Sequence, residues 1–394
     1  MHKPPHRDRR PTIRDVARES GVAQSTVSNA LLGKAHVSAP TRQRVQEASD
    51  RLGYRPSPVA QALRHQRSFT VGVLMADIAN PSYPEVFRGI EDVLLTASCK
   101  IFLCNTDGRE DKQLAYMHDL IDRRVDGLIL VSQHLDGDGF AALMQRAPST
   151  VTVHRRGGRF PIDYVGLDNR DGIRQAVDHL VALGHQRIAF MRGPTGSTAV
   201  IERQQGYRRA LAAHGLAVTE ALVVPAPYTF EGGRDAAIAL MALPEFPTAV
   251  IASSDLSAIG AVHAFMAAGR QVPGDISVVG LDNIYLAALP QINLTTIDYA
   301  KREVGAAAAH LLLQRIQGTG GAQRPRREIF RMRLVVRGST APPAPAAPTT
   351  LRPVPGARAR QRAPGRSLTA PPLAPIPPRS KSPAPTQGPR HEDP

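Results

Sequence analysis

The sequence predicts two kinds of folding unit in one chain. A small all-α helix-turn-helix unit comes first. Behind it lies an α/β core of two lobes, each a doubly wound parallel sheet, and the chain closes on a disordered C-terminal tail. Three observations carry this. Residues 12 to 52 read as short amphipathic helices with Gly21 at a tight turn. From Thr70 to about Gly338, apolar β-rich runs alternate with amphipathic helical ones, the rhythm of βαβ units. From Thr340 onward 16 of 55 residues are proline and the apolar periodicity stops. The expected division is a basic lead-in at 1–10, the helical unit at 11–56, a hinge helix and linker at 57–69, the two-lobed domain at 70–339 and the tail at 340–394.

Composition narrows the function classes. With 394 residues and 42% hydrophobic content the chain can bury a sizeable core in two or three units. Apolar runs fall short of the ~20 residues that cross a bilayer. The N-terminus opens on His2, Lys3, Pro4 and Pro5 instead of a secretory signal, so a cytoplasmic location without membrane contact is expected. Cys99 and Cys104 have no second Cys or His pair at metal-ligand spacing and read as packing residues, so neither a metal nor a cofactor is expected. Of the formal charge of +15, the excess sits at the two ends. Residues 1–70 carry 13 Lys/Arg against 5 Asp/Glu, residues 340–394 carry 8 against 2, and the middle is nearly balanced. Basic ends suit a polyanion; a neutral middle suits self-association or a small ligand.

Within the helical unit, Thr12 is a natural N-cap, and Ile13, Val16 and Ala17 form an apolar stripe. A second helix, Gln24 to Leu32, turns Val27, Ala30 and Leu31 inward; a third, Ala39 to Leu52, adds Val45, Ala48 and Leu52. The outward face of the second helix carries Gln24, Ser25, Ser28 and Asn29, short polar groups suited to base edges in a major groove. Thr26, Lys34, His36, Ser38 and Thr41 are placed to reach phosphates. The competing reading of this face is an ordinary solvated bundle surface. Ser57 then Pro58 open a short helix, too short to persist alone in water, whose Leu63 could wedge between base steps if a second copy paired with it on DNA.

In the core, the expected strands are 70–75, 100–104, 127–132, 150–154, 164–168, 187–191, 249–253 and 276–282, with helices such as Tyr83 to Ala97 and Arg170 to Leu183 between them. Gly184, Gly215 and Gly269 stand where helices end. So many elements exceed one sheet, which predicts two lobes with a ligand cleft at the carboxyl ends of their strands.

The run TIRDVARESGVAQSTVSNAL, followed by VS, TRQRV and LGYRPSPVAQAL, closely resembles the lactose-repressor/galactose-repressor family. The resemblance continues in order through NPSYPEVFRGIED, VDGLILVS, YVGLDN, HLVALGHQRIAF, ERQQGYRRAL, SSDLSAIGA, GDISVVGLDN and LTTID, covering nearly all of 11–339. It implies a periplasmic-binding-protein-like core and a regulator, most simply a repressor, that binds double-stranded operator DNA as a homodimer. By that likeness Gln24, Ser25 and Asn29 read bases and Leu63 is the minor-groove wedge; Thr12, Ile13, Arg14, Tyr54 and Ala60 complete the expected DNA-facing set.

The same resemblance places a small-molecule effector, a sugar or related metabolite, between the lobes. Arg203 and Asp255 fall where sugar hydroxyls are gripped, a donor fork and a carboxylate acceptor suited to a polyol. Tyr83 and Tyr228 fall at an aromatic wall, Asp282 near the cleft mouth, and His154 where an acidic residue is common. Ser254 replaces a usual Asn and the chain has no Trp, the common sugar-stacking platform. A solute-binding protein would share the core but begin with a signal and lack the helical unit. An α/β enzyme would need a phosphate loop or a nucleophile motif; neither G-x-G-x-x-G nor G-x-S-x-G occurs, so no catalytic residue is expected.

Overall fold

In the computed structural model the described residues are 11–31, 33–55, 67–157, 160–318 and 324–344. The lead-in, the hinge helix with Ala60 and Leu63, and the tail beyond 344 lie outside them, as does Leu32.

Among the described residues the N-terminal unit is three helices: α1 (Ile13–Ser20), α2 (Gln24–Leu31) and α3 (Ala39–Leu52). Thr12 caps α1, its amide donating to the Asp15 carboxylate at 2.9 Å and its hydroxyl meeting the same oxygen at 2.7 Å. Gly21 ends α1 at φ 66°, the left-handed conformation that lets α2 start three residues later. Val16, Val27, Ala30, Val37, Val45 and Ala48 form the buried core, with Ile13, Ala17, Leu31, Leu52 and Tyr54 half-buried around it.

The remainder is two lobes with a repeated topology. Lobe 1 holds β1 (Thr70–Met75), α4 (Ser82–Thr96), β2 (Lys100–Asn105), α5 (Glu110–Asp122), β3 (Gly127–Val131), α6 (Asp138–Met144), β4 (Ser149–Val153) and β5 (Asp163–Leu167). Lobe 2 holds α7 (Asn169–Ala182), β6 (Ile188–Arg192), α8 (Thr198–Ala213), β7 (Val223–Pro225), α9 (Phe230–Met241), β8 (Ala249–Ala252), α10 (Asp255–Ala267), β9 (Ser277–Leu281) and β10 (Thr295–Asp298). The chain then returns to lobe 1 with α11 (Lys301–Ile316) and β11 (Arg327–Phe330), and ends in lobe 2 with β12 (Arg333–Val335). Strand order is β2-β1-β3-β4-β5-β11 in one sheet and β7-β6-β8-β9-β10-β12 in the other, so the two lobes wind alike. All pairings are parallel except β10 with β12. Three crossings therefore join the lobes, after β5, after β10 and between β11 and β12.

Alternation along each strand feeds helices on both faces. In β1, Val71, Val73 and Met75 join the cluster that includes Val86, Ile90 and Leu312, while Leu74 joins Met117, Leu120 and Phe140 on the opposite face. In β6, Ile188 and Phe190 pack with Tyr207, and Ala189 and Met191 with Ala258 and Phe265. Two helix pairs approach closely enough to require glycine. A Cβ on Gly89 of α4 would lie 1.9 Å from the Arg302 carbonyl of α11, and one on Gly305 of α11 would lie 2.0 Å from the Val86 carbonyl. Gly233 of α9 and Gly260 of α10 repeat the arrangement.

All eight expected strands are present. Four more were not expected: β7, β10, β11 and β12, of which β12 runs antiparallel. The expected strand 150–154 includes His154; the structure puts this residue just beyond β4, at φ 65°. The expected tail begins at 340, yet Thr340 and Ala341 are fastened to lobe 2. Thr340 bonds the His179 ring at 3.0 Å, and the Ala341 amide donates to Ser277 Oγ at 3.0 Å.

Candidate functional site

On the helical unit, Arg14, Gln24, Ser25, Lys34, His36 and Ser38 are exposed, and Thr26, Ser28, Asn29, Thr41 and Tyr54 are half-exposed. The first turn of α2 thus offers Gln24 and Ser25 outward. Lys34 and His36 follow in the α2–α3 turn, where Ser38 and Thr41 share a hydroxyl contact of 2.9 Å. Two members of the expected DNA-facing set are partly engaged elsewhere. Thr12 is occupied with Asp15, and Ile13 packs on the three-helix core.

Between the lobes lies a cavity of about 410 Å³, within the ~300–1,000 Å³ of small-molecule sites. Its lining follows the carboxyl ends of β1 to β4 in one lobe and β6 to β10 in the other, where doubly wound sheets hold ligands. The floor is buried and the rim exposed: Tyr83, Arg203, Ser253, Asp282 and Tyr299 are covered, whereas Asp107, Gly108, Pro194 and Thr195 face solvent. Four lining residues that are not glycine, Asp107, Ser132, His154 and Asp282, have positive φ. Such strained backbone concentrates at functional sites.

Arg203, on α8, sits at the floor. Its Nε donates to Asn169 Oδ1 at 2.8 Å and its Nη1 to the Ser253 carbonyl at 2.9 Å. Tyr228 lies beside it, the guanidinium carbon 5.9 Å from the ring centroid. These acceptors are neutral, and among the described residues Arg203 forms no salt bridge. The His154 ring meets the Tyr299 ring edge-on at 5.4 Å and lies 6.5 Å from the Tyr83 ring. Two buried polar atoms of the lining, His154 Nε2 and Ser253 Oγ, have no hydrogen-bond partner among the described residues, a costly state unless a further molecule completes them. Burial, with Arg203 adding to it, depresses His154 to about 3, so the ring is neutral at physiological pH. Burial raises the phenols of Tyr83, Tyr228 and Tyr299 above their ordinary value.

Asp255 does not line this cavity. The expectation that it grips the ligand is corrected by where its carboxylate goes: Oδ1 accepts from Thr296 Oγ1 at 2.5 Å and Oδ2 from the Ile284 amide at 2.8 Å. The side chain is fully buried behind Gly280 and ties the segments around β9 and β10 to the start of α10. Burial pushes it up to about 6. The carboxyl in the cavity is that of Asp282, which accepts from the Asp255 amide.

Burial first, then the neighbouring Asp255, push Asp282 up to about 8 against opposing pulls from Arg203 and Lys301. An unfolded Asp titrates near ~4. The folded state therefore holds the proton more tightly, and this contribution to stability is full below ~4 and lost as pH rises from there through 8. Asp282→Asn cannot ionise. Its melting temperature relative to wild type is expected to climb between pH 5 and pH 8.5, and parallel melting curves across that range would refute the assignment. His154 carries the opposite sign: its contribution is present above ~6.5 and falls on acidification toward 3.

Residues 12–57 match the bacterial regulatory proteins, lacI family, and residues 177–340 match the periplasmic binding protein-like domain. Catabolite control protein A of Priestia megaterium is 34% identical over 302 residues, 76% of this chain and 91% of that protein. The chain belongs to the lacI family of bacterial regulatory proteins. The ribose operon repressor of Escherichia coli (strain K12) is 35% identical to this lacI-family regulator over 307 residues, 77% of this chain and 93% of the repressor. A crystal structure of the lac repressor dimer bound to operator and the anti-inducer ONPF superimposes with a TM-score of 0.75 at 29% identity, covering 84% of this chain and all of that one.

Several cavity residues of this lacI-family regulator escaped the sequence reading. Ser253 lies within the run SSDLSAIGA, and Tyr299 directly follows LTTID. Position offers a signal for both, since each directly follows a strand end that faces the cleft. Asn169, which orients Arg203, opens α7 at the first crossing.

Proposed function

We propose that this lacI-family regulator is a transcriptional repressor that binds a pseudo-palindromic operator as a homodimer, and that a sugar or related polyol in the interlobe cavity controls that binding. The observation that carries the ligand half is the pair of buried atoms without a partner among the described residues, His154 Nε2 and Ser253 Oγ, beside the Arg203 donors and the Asp282 carboxyl. A neutral imidazole and a hydroxyl can each donate or accept, which complements hydroxyl groups presented at several angles. Tyr83, Tyr228 and Tyr299 supply flat apolar walls. The DNA half rests on the polar face of α2, with residues 57–67 acting as hinge and Leu63 and Ala60 in the minor groove. Exposed apolar side chains on both lobes, Phe102 and Leu103 in β2 and Met266 and Tyr285 in lobe 2, suit a second copy of the chain. In this reading the protein acts in the cytoplasm, by binding and without catalysis.

The test is a mobility-shift titration of the DNA flanking the gene, with and without a panel of sugars and nucleosides first ranked by thermal shift. A compound at 100 times its Kd adds about 2.7 kcal/mol of stability. Retardation of a palindromic fragment, altered by a stabilising compound, is expected; a protein that retards no fragment is not an operator-binding repressor.

Asn29→Ala should relax base preference at particular operator positions, at roughly 1–3 kcal/mol for a good bidentate contact. Lys34→Ala should weaken all sequences alike and lower the salt slope. Binding across single-base operator variants separates the two, and matching profiles would overturn the placement of α2.

A further inference from the structure

Away from the three crossings, two hydrogen bonds join the lobes among the described residues, and both lie at the cavity rim. Arg155, just after β4, donates through Nη2 to the Gly196 carbonyl in the β6–α8 loop of lobe 2. The neighbouring Arg156 amide donates to Thr198 Oγ1 at 3.0 Å. Gly196 holds φ 82°, and a Cβ there would meet Arg155 Nη2 at 3.4 Å, so the loop presents its carbonyl in a conformation suited to glycine.

Arg155 is buried, yet among the described residues it has no salt-bridge partner. Its other arm reaches toward His134 Nδ1 at 3.4 Å, and His134 Nε2 lies 2.8 Å from the Gly108 carbonyl. A carbonyl can only accept and a guanidinium can only donate, so the His134 proton sits on Nε2 and Nδ1 is the acceptor. Three loops of lobe 1 thus aim one cation at a lobe 2 carbonyl. The nature of the partners sets the strength of this bridge. A buried carboxylate would make a lock whose rupture strands two charges. A carbonyl and an imidazole make a weaker hold, and the released guanidinium recovers its hydration.

We propose that Arg155 is the gate of the cavity: its bridge to Gly196 holds the two lobes together at the rim, and its release sets how much of the time the floor is open to small molecules. The proposal takes its purpose from the effector reading of this cavity, but its test requires no effector. The probe is iodoacetamide, and the target is a thiol on the floor placed by Ser253→Cys in a background with Cys99→Ala and Cys104→Ser. When opening is fast relative to alkylation, the rate follows the open population. Arg155→Ala is expected to raise it about tenfold, the effect of losing one charge-assisted hydrogen bond. Arg155→Met keeps the apolar stem and should do the same, which guards against a packing artefact or a failure of the alanine variant to fold. Melting temperatures close to the parent would exclude global unfolding as the source. Alkylation unchanged in the folded variants overturns the gate, whatever the effector panel finds. A panel without a binder would instead count against the effector reading and leave the alkylation result standing.

Discussion

Asp255→Ala is expected to lower the stability of the core by about 2–4 kcal/mol, because it removes the acceptor from two buried donors, each costing roughly 1–3 kcal/mol when left unmade. Those donors are the Ile284 amide and Thr296 Oγ1. At a few degrees per kcal/mol for a domain of this size, the melting temperature should fall by roughly 4–16 °C. Asp255→Asn keeps one acceptor oxygen and should fall between. Calorimetry at neutral pH decides the matter. A variant that melts like wild type and has merely lost its response to effector would restore Asp255 as a ligand contact and contradict the geometry described above.

Arg203→Met is the complementary experiment, since it removes the charge and its donors while keeping much of the stem that packs beside Tyr228. If the guanidinium grips the effector, binding should weaken by about 10- to 150-fold, the range for a hydrogen bond to a charged group. Two secondary effects have definite signs. Arg203 pulls Asp282 down and pushes His154 down, so both groups should titrate higher in the variant. Operator affinity without effector should be kept, because Arg203 lies in lobe 2 and the proposed readers lie on α2. Titration calorimetry with the most stabilising compound of the panel measures the first effect and operator titration the last. Effector affinity within twofold of wild type would remove Arg203 from the site.

The two aspartates illustrate what a sequence can and cannot convey. Each follows a strand, and composition does not distinguish them. Asp255 opens a helix, with Ser254 as the N-cap accepting from the Ser257 amide, and its carboxylate is drawn back toward β10. Asp282 ends the run SVVGL at φ 120° and stays on the cleft side. Only the packing of Thr296 and Ile284 around the first separates their roles. The strands divide similarly. Central strands such as SVVGL are buried on both faces and read as continuous apolar runs. The sheet-edge strands REIF and RLV have no fully buried residue and carry arginines, and β7 is three residues long, so none of them leaves a periodic trace. The three-helix unit was legible nearly to its ends because its apolar stripe, its cap and its glycine turn all agree.

Met332 is buried in the link between β11 and β12, neighbours in sequence that complete opposite sheets. During synthesis this has a consequence of timing. Until residues 327–335 clear the ribosome, each sheet lacks an edge strand, so neither half can mature ahead of the other as N-terminal domains commonly do. The nascent chain must keep two unfinished sheets from pairing with neighbours until residues 327–335 emerge, and a premature stop near residue 324 would leave both halves with an open edge instead of sparing one.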